Sequence, residues 1–176
     1  MTPASAEPFM PAEGTAVLEN LAFDLAREAS ELSAQLHPVV RLSVAELVRS
    51  MNCYYSNLIE GHNTHPRDID RALAADYSSD AHRRDLQLEA RAHIEVQQMI
   101  DERVGDLPRP PVARAFIEWT HREFCRRLPE SLLVVLNPDT GQRIPVVPGQ
   151  LRMHTVAVGR HVAPAPEDLT AFMGRF

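Results

Sequence analysis

The chain has 176 residues, 44% of them hydrophobic, 24% charged and 6% aromatic, with a formal net charge of −6 and a pI near 5.7. This length sets one domain, or one domain with a tail, and the apolar content allows a modest core. The acidic balance argues against nucleic acid as a partner; the longest aliphatic run, 132–136, is far too short to cross a bilayer, so no membrane partner is expected.

Residues 1–14 are rich in Pro, Ala and Glu and lack the basic start and apolar stretch of a secretory signal, so they read as a disordered lead. Val17, Leu18, Leu21, Leu25, Leu32 and Leu36 then recur at helical spacing, predicting a first amphipathic helix that ends near His37 and Pro38. A second helix is predicted over 39–60, with Val44, Leu47, Val48, Met51, Tyr55 and Leu58 as its buried stripe. Arg49, Cys53, Ser56 and Glu60 fall on a different face of that helix.

Thr64 and Pro66 open a short helix with Asp68 and Asp70 in its first turns. A long helix follows over 80–104, with Leu86, Ala90, His93, Gln97, Ile100 and Val104 along one side, and Pro108, Pro110 and Pro111 break it. A further helix over 112–128 carries Ala115, Phe116, Trp119 and Phe124. Beyond it the pattern changes to short strands. These are expected at 132–136, at 144–147 and over 152–158, with a turn at Asn137-Pro138-Asp139-Thr140-Gly141. Pro164, Pro166, Glu167 and Asp168 start a last helix. The division this suggests is a lead at 1–14, a helical region at 15–128 and a hairpin region at 129–176.

Two cysteines, Cys53 and Cys125, both in helical patterns, are too few for a disulfide framework and point to a reducing cytoplasm. His62 with His65, and His121 with Cys125, have spacings that could serve a metal. No second pair completes a four-ligand set, so no metal residue is assigned.

One local departure from the usual pattern stands out. Tyr54-Tyr55-Ser56-Asn57-Leu58-Ile59-Glu60-Gly61-His62-Asn63-Thr64 ends a helical stretch with a glutamate and then a helix-stopping glycine. A carboxylate in the last turn opposes the helix dipole, at a cost of about 0.3–1 kcal/mol when exposed. Rules broken at a helix end point to function. Ser56 and Glu60 are four residues apart and share one helix face.

The pattern Ser-x-x-x-Glu-Gly, from Ser56 to Gly61, resembles the inhibitory-helix motif of Fic-domain proteins. Gln87-Leu88-Glu89-Ala90 and His121-Arg122-Glu123-Phe124, the latter shortly before Leu128-Pro129, follow in the family's order. So do Pro148-Gly149-Gln150-Leu151-Arg152, Val156-Ala157-Val158-Gly159-Arg160-His161 and Phe172-Met173-Gly174-Arg175-Phe176. The resemblance runs from about residue 40 to residue 176. The family's catalytic loop, His-x-Phe-x-Asp/Glu-Gly-Asn-x-x-Arg, matches nothing in these residues.

The resemblance implies a mainly α fold, a helical bundle of the Fic type with a small β-hairpin flap, incomplete at its C-terminus. It implies the front, regulatory portion of a protein adenylyltransferase, which transfers AMP from ATP to a hydroxyl side chain of a target protein. ATP and a divalent metal such as Mg are expected of the full-length family, with no residue here assigned to them. No catalytic residue is assigned, and this portion is expected to be inactive alone. Glu60 matches the family's inhibitory glutamate, which pairs with an arginine of the catalytic loop and blocks the γ-phosphate position. Ser56 would brace it and Gly61 would end its helix. Arg152, Val156, Ala157, Val158 and Gly159 match the flap, which registers the target protein, with 156–159 near the nucleotide base. The partners implied are that target, an absent C-terminal half or a separate Fic enzyme, and the chain itself as an oligomer. A stand-alone, antitoxin-like inhibitor acting in trans is the alternative. Absent catalytic helices should also leave apolar surface uncovered on the helix of Trp119 or on the last helix.

Overall fold

The computed structural model describes residues 11–103, 113–137 and 140–174. Most of the expected lead, Val104 and Val112, the prolines at 108, 110 and 111, Pro138 and Asp139 of the turn, and Arg175 and Phe176 lie outside them. Among the described residues the fold is mainly helical, with two small antiparallel hairpins where one was expected. Among the described residues it divides into two units, parted between Arg49 and Ser50 within one continuous helix.

The first unit holds α1 (Ala16–Gln35) and the start of α2 (Pro38–Ile59). Pro38 opens α2 at the first helical position, where its missing N–H costs nothing. The His37 Nδ1 accepts the Val39 N–H at 3.3 Å and covers one of the free donors at that end. Arg27 pairs with Glu28 at 2.7 Å and Glu31 at 3.0 Å along a solvated face. The expected apolar stripe of α1 has the right period but is not covered: Val17, Leu18, Leu21, Leu25 and Leu32 are all exposed.

The second unit runs on from Ser50. It holds the rest of α2, then α3 (Pro66–Leu73), α4 (Ala81–Arg103) and α5 (Arg114–Cys125). Next come β1 (Val134–Leu136), β2 (Arg143–Pro145), β3 (Ala157–Val158), β4 (His161–Val162) and α6 (Leu169–Met173). Helix α3 packs on α4, and α4 on α5. The core is Cys53, Ile69, Ala90 and Ile94, with Tyr54 against it.

Here the expected stripe of α2 is overturned. Val44, Leu47, Val48, Met51, Tyr55 and Leu58 are exposed, while Cys53 and Asn57 are buried. Cys53 lies in the core beside Ala90, and its thiol donates to the Ala90 carbonyl at 3.6 Å.

Helix α4 is gripped from more than one side, so its buried set is wider than one stripe and includes Gln87, Ala92, Ile94 and Val96. Gln87 is fully buried and satisfied three ways. Its Oε1 accepts the Ser78 N–H at 2.7 Å, and its Nε2 donates to the carbonyls of Asp68 and Asp76, each at 3.3 Å. Arg83 adds a bidentate pair to Asp68 at 2.8 and 3.0 Å. Arg127 joins the end of α5 to α4 through Glu95 at 3.3 Å.

The strands are shorter than expected. A 3₁₀ turn, Glu130–Leu132, takes the start of the first one, and only Ala157–Val158 of 152–158 pairs as strand. Trp119 is half-buried and Phe172 is buried, so the exposed apolar residues gather mostly on α1 and α2 instead. No helix among the described residues is long and apolar enough to cross a membrane.

Candidate functional site

The end of α2 closes in a Schellman arrangement. The Gly61 N–H donates to the Leu58 carbonyl at 3.1 Å and the His62 N–H to the Asn57 carbonyl at 2.7 Å. Gly61 sits at φ +81°, the left-handed backbone this cap requires. Glu60 is thereby the last residue before the reversal, with its N–H still donating to the Ser56 carbonyl at 3.2 Å. Both Ser56 and Glu60 are exposed. The Glu60 side chain has no hydrogen-bond or ion-pair partner among the described residues. The link between Ser56 and Glu60 is through main chain.

The segment after Glu60 is held at three points. Asn57, buried, donates from Nδ2 to the Thr64 Oγ1 at 3.4 Å, and Thr64 is buried too. The His62 Nδ1 lies 2.9 Å from the Glu89 carboxylate on α4. The His65 Nδ1 accepts the Arg67 N–H at 3.2 Å and caps α3, where Pro66 takes the first position. Two stretches that lie far apart in sequence, 56–62 and 87–90, are thus in direct contact. Asn57 and the His62–Glu89 pair were not singled out from sequence, and Thr64 was read only as the opening of α3. A polar residue four places from Cys53 on the same face was the available signal for Asn57.

The second candidate element is the hairpin of β3 and β4. Ala157 pairs with Val162 and Val158 with His161, and Gly159 turns the chain at φ +58°. The Ala163 N–H donates to the Val156 carbonyl at 2.9 Å and lengthens the ladder. Val156, Ala157 and Gly159 are exposed. Arg152 straps the base of this hairpin. It donates to the His154 carbonyl at 2.7 Å and also to the Pro164 carbonyl. Its guanidinium is therefore engaged with main chain.

Gly149 anchors the approach to the hairpin on α5. Its N–H donates to the His121 Nδ1 at 2.8 Å, its φ is +77°, and a Cβ there would lie 2.8 Å from the Arg122 Cβ. The same His121 offers its Nε2 to the Cys125 thiol at 3.4 Å. His121 is thus a structural cap on the loop. Between the β1–β2 hairpin and the segment 150–157 lies a cavity of about 680 Å³, lined by His121, Leu136, Ile144, Arg152 and Val156 among others. No hydrogen bond or ion pair joins Glu60 to the β3–β4 hairpin among the described residues.

Burial shapes the titratable groups near α4. It pushes the Cys53 thiol up to about 12, with the Glu89 charge adding to the shift. Burial lowers His93, against a smaller opposing pull from Glu89. A thiol so protonated is a poor nucleophile and a poor metal ligand. Among the described residues, no group of three or more His, Cys, Asp or Glu is placed to hold a metal ion.

No family model matches the chain, and neither a curated protein nor a solved structure is significantly similar to it.

Proposed function

We propose that this chain is the N-terminal regulatory and flap portion of a Fic-type protein adenylyltransferase, with Glu60 as its inhibitory carboxylate. One observation carries the reading. The Schellman cap ends α2 so that Glu60 stands exposed and unpaired at a held helix end, braced through His62 to Glu89 in the Gln-Leu-Glu-Ala stretch. Two parts of the motif set are thereby in contact in one place. A free carboxylate at a rigid end suits bidentate capture by an arginine, which binds carboxylate much as it binds phosphate. In this reading the arginine belongs to a catalytic loop outside these residues. ATP and a divalent metal such as Mg also belong to that loop.

The hairpin of β3 and β4 would serve as the flap, pairing its short edge with an extended segment of the target protein in a cytoplasmic setting. Arg152 would act there as a strap that shapes the flap. The fold would then be of the Fic type, with the catalytic half supplied from beyond residue 176. Reading the coding DNA past the Phe176 codon tests this. An in-frame His-x-Phe-x-Asp-Gly-Asn-x-x-Arg within the next few dozen codons supports it.

The unpaired state of Glu60 also favours a second reading, in which the chain inhibits a separate Fic enzyme in trans. The purified chain, added to a Fic enzyme lacking its own inhibitory glutamate, should then suppress AMP transfer. Glu60→Gly should abolish suppression and leave binding largely intact; equal suppression by both forms would sink the assignment of Glu60. The chain alone should label no protein from ATP in either reading.

A further inference from the structure

His121 is committed on both ring nitrogens. Its Nδ1 accepts the Gly149 N–H at 2.8 Å, and its Nε2 lies 3.4 Å from the Cys125 Sγ. A ring nitrogen that accepts an N–H has its lone pair engaged and carries no proton. The single proton of the neutral ring therefore sits on Nε2 and donates to the Cys125 sulfur. A second proton has one place to enter, Nδ1, where it would face the Gly149 N–H, donor against donor. The charged ring and the bond to Gly149 exclude each other.

From this geometry we infer that His121 is a pH-sensitive latch: a proton arriving at Nδ1 releases the segment around Gly149 from α5. The groups around the ring offer a charged form no compensation. On α5 the charged groups within one turn are Glu118, Arg122 and Glu123. Glu118 is held by Arg114 at 2.6 Å and Glu123 by Arg127 at 3.0 Å, while Arg122 is itself a cation. Burial pushes the Cys125 thiol up, so its sulfur presents no anion. Helix α4 contributes His93, which burial makes harder to charge, and the segment 150–157 contributes Arg152 and His154.

Gly149 lies so close to α5 that an added Cβ would stand 2.8 Å from the Arg122 Cβ. Its N–H therefore cannot turn away from a charged ring unless the segment lifts. The ring is also within reach of water. It is half-buried and lines two cavities, one of about 510 Å³ against α4 and the one of about 680 Å³ beside 150–157. Once released, the ring is an ordinary imidazole, which titrates near pH ~6.5. The released state then binds a proton that the latched state does not, so falling pH favours release. Release should gain about tenfold for each pH unit below that point, or about 30-fold between pH 8 and pH 5. On the flap reading proposed above, on which this consequence rests, acid loosens the approach to β3 and β4.

NMR of the whole chain between about pH 8 and about pH 5, following amide exchange and the ring nitrogen-15 shifts of His121, tests the latch. After correction for intrinsic exchange, protection of the Gly149 amide should fall about 30-fold on acidification. The Ser78 amide, held by Gln87 in the same unit, should keep its protection. The ring shifts at the alkaline end should report the Nε2–H form. His121→Asn places an acceptor that does not titrate, Oδ1, where Nδ1 stood, and should hold Gly149 equally at both ends of the range. Constant protection at Gly149 in the parent would overturn the inference. So would a parallel fall at Ser78, an equal fall in His121→Asn, or a ring in the Nδ1–H form. If His121→Asn loses helix content, the parent's ring shifts and the contrast between Gly149 and Ser78 decide. None of these readouts involves AMP transfer, so the latch fails or holds separately from the Fic assignment.

Discussion

Gly61 and Gly149 hold nearly the same left-handed backbone, at φ +81° and +77°, for different reasons. At Gly61 an added Cβ would meet nothing within 4 Å, so the requirement is conformational. At Gly149 the same Cβ would press on the Arg122 Cβ and stand 3.0 Å from the Glu118 carbonyl, so space is limiting as well. Gly61→Ala should therefore cost about 1 kcal/mol, the ordinary penalty for a left-handed L-residue. Gly149→Ala should cost more, about 2–4 kcal/mol, because strain and overlap add. Urea unfolding of the two variants beside the parent measures both, and equal costs would contradict the close contact with α5. The sequence announces the first glycine through the helix that precedes it. It announces the second only as part of a Pro-Gly turn, since the neighbour that crowds it lies 27 residues away.

At the scale of elements, α4 organises the second unit by accepting α2, α3 and α5 in turn. Its middle is pinned by a polar side chain. Gln87 satisfies the Asp68 carbonyl of α3 and, between α3 and α4, the Asp76 carbonyl and the Ser78 amide. Gln87→Leu has a similar volume but removes all three bonds and leaves the half-buried Ser78 N–H without its acceptor. The expected loss is about 2–4 kcal/mol, since each orphaned buried polar group costs on the order of 1–3 kcal/mol. The loss should appear in the denaturation midpoint, together with faster amide exchange at Ser78. Unchanged exchange there would show that water replaces the side chain. Helix starts and stops in this region were legible because Pro66, Gly61 and Asp80 act locally. The Asp80 carboxylate, for example, accepts the Arg83 N–H at 2.8 Å. Gln87 was legible only as one letter of a motif, because its partners are brought to it by the fold.

On the scale of the molecule, both cysteines sit inside the second unit, at 0% and 4% exposure. Raising the Cys53 thiol to about 12 leaves roughly a thousandfold less thiolate at neutral pH than an ordinary cysteine has. Cys53 should thus resist alkylation until the unit opens, and its modification should track global unfolding. Timed alkylation read by mass, with and without urea, checks this. Rapid labelling of Cys53 in the folded chain would show that α2 lifts from α4 locally. The division between Arg49 and Ser50 has the same origin. From Ser50 onward α2 buries Cys53 and Asn57, and its earlier turns bury no residue.

By itself the sequence determined what depends on near neighbours. These features are the helical periods, the proline starts, the glycine stops and the odd glutamate before Gly61. Each follows from backbone sterics and hydrogen bonds within a few residues. Which side of α2 is buried was decided only by tertiary structure. Periodicity reports that apolar residues recur on a face, and it is silent on whether a partner covers that face. The larger stripe of α2 looked like the core, yet Cys53 and Asn57 are the buried residues, Cys53 beside Ala90 of α4 and Asn57 bonded to the buried Thr64. The same holds for Glu89 against His62 and for Arg152 across the base of its hairpin. Those contacts join residues that only the folded chain brings within hydrogen-bond reach.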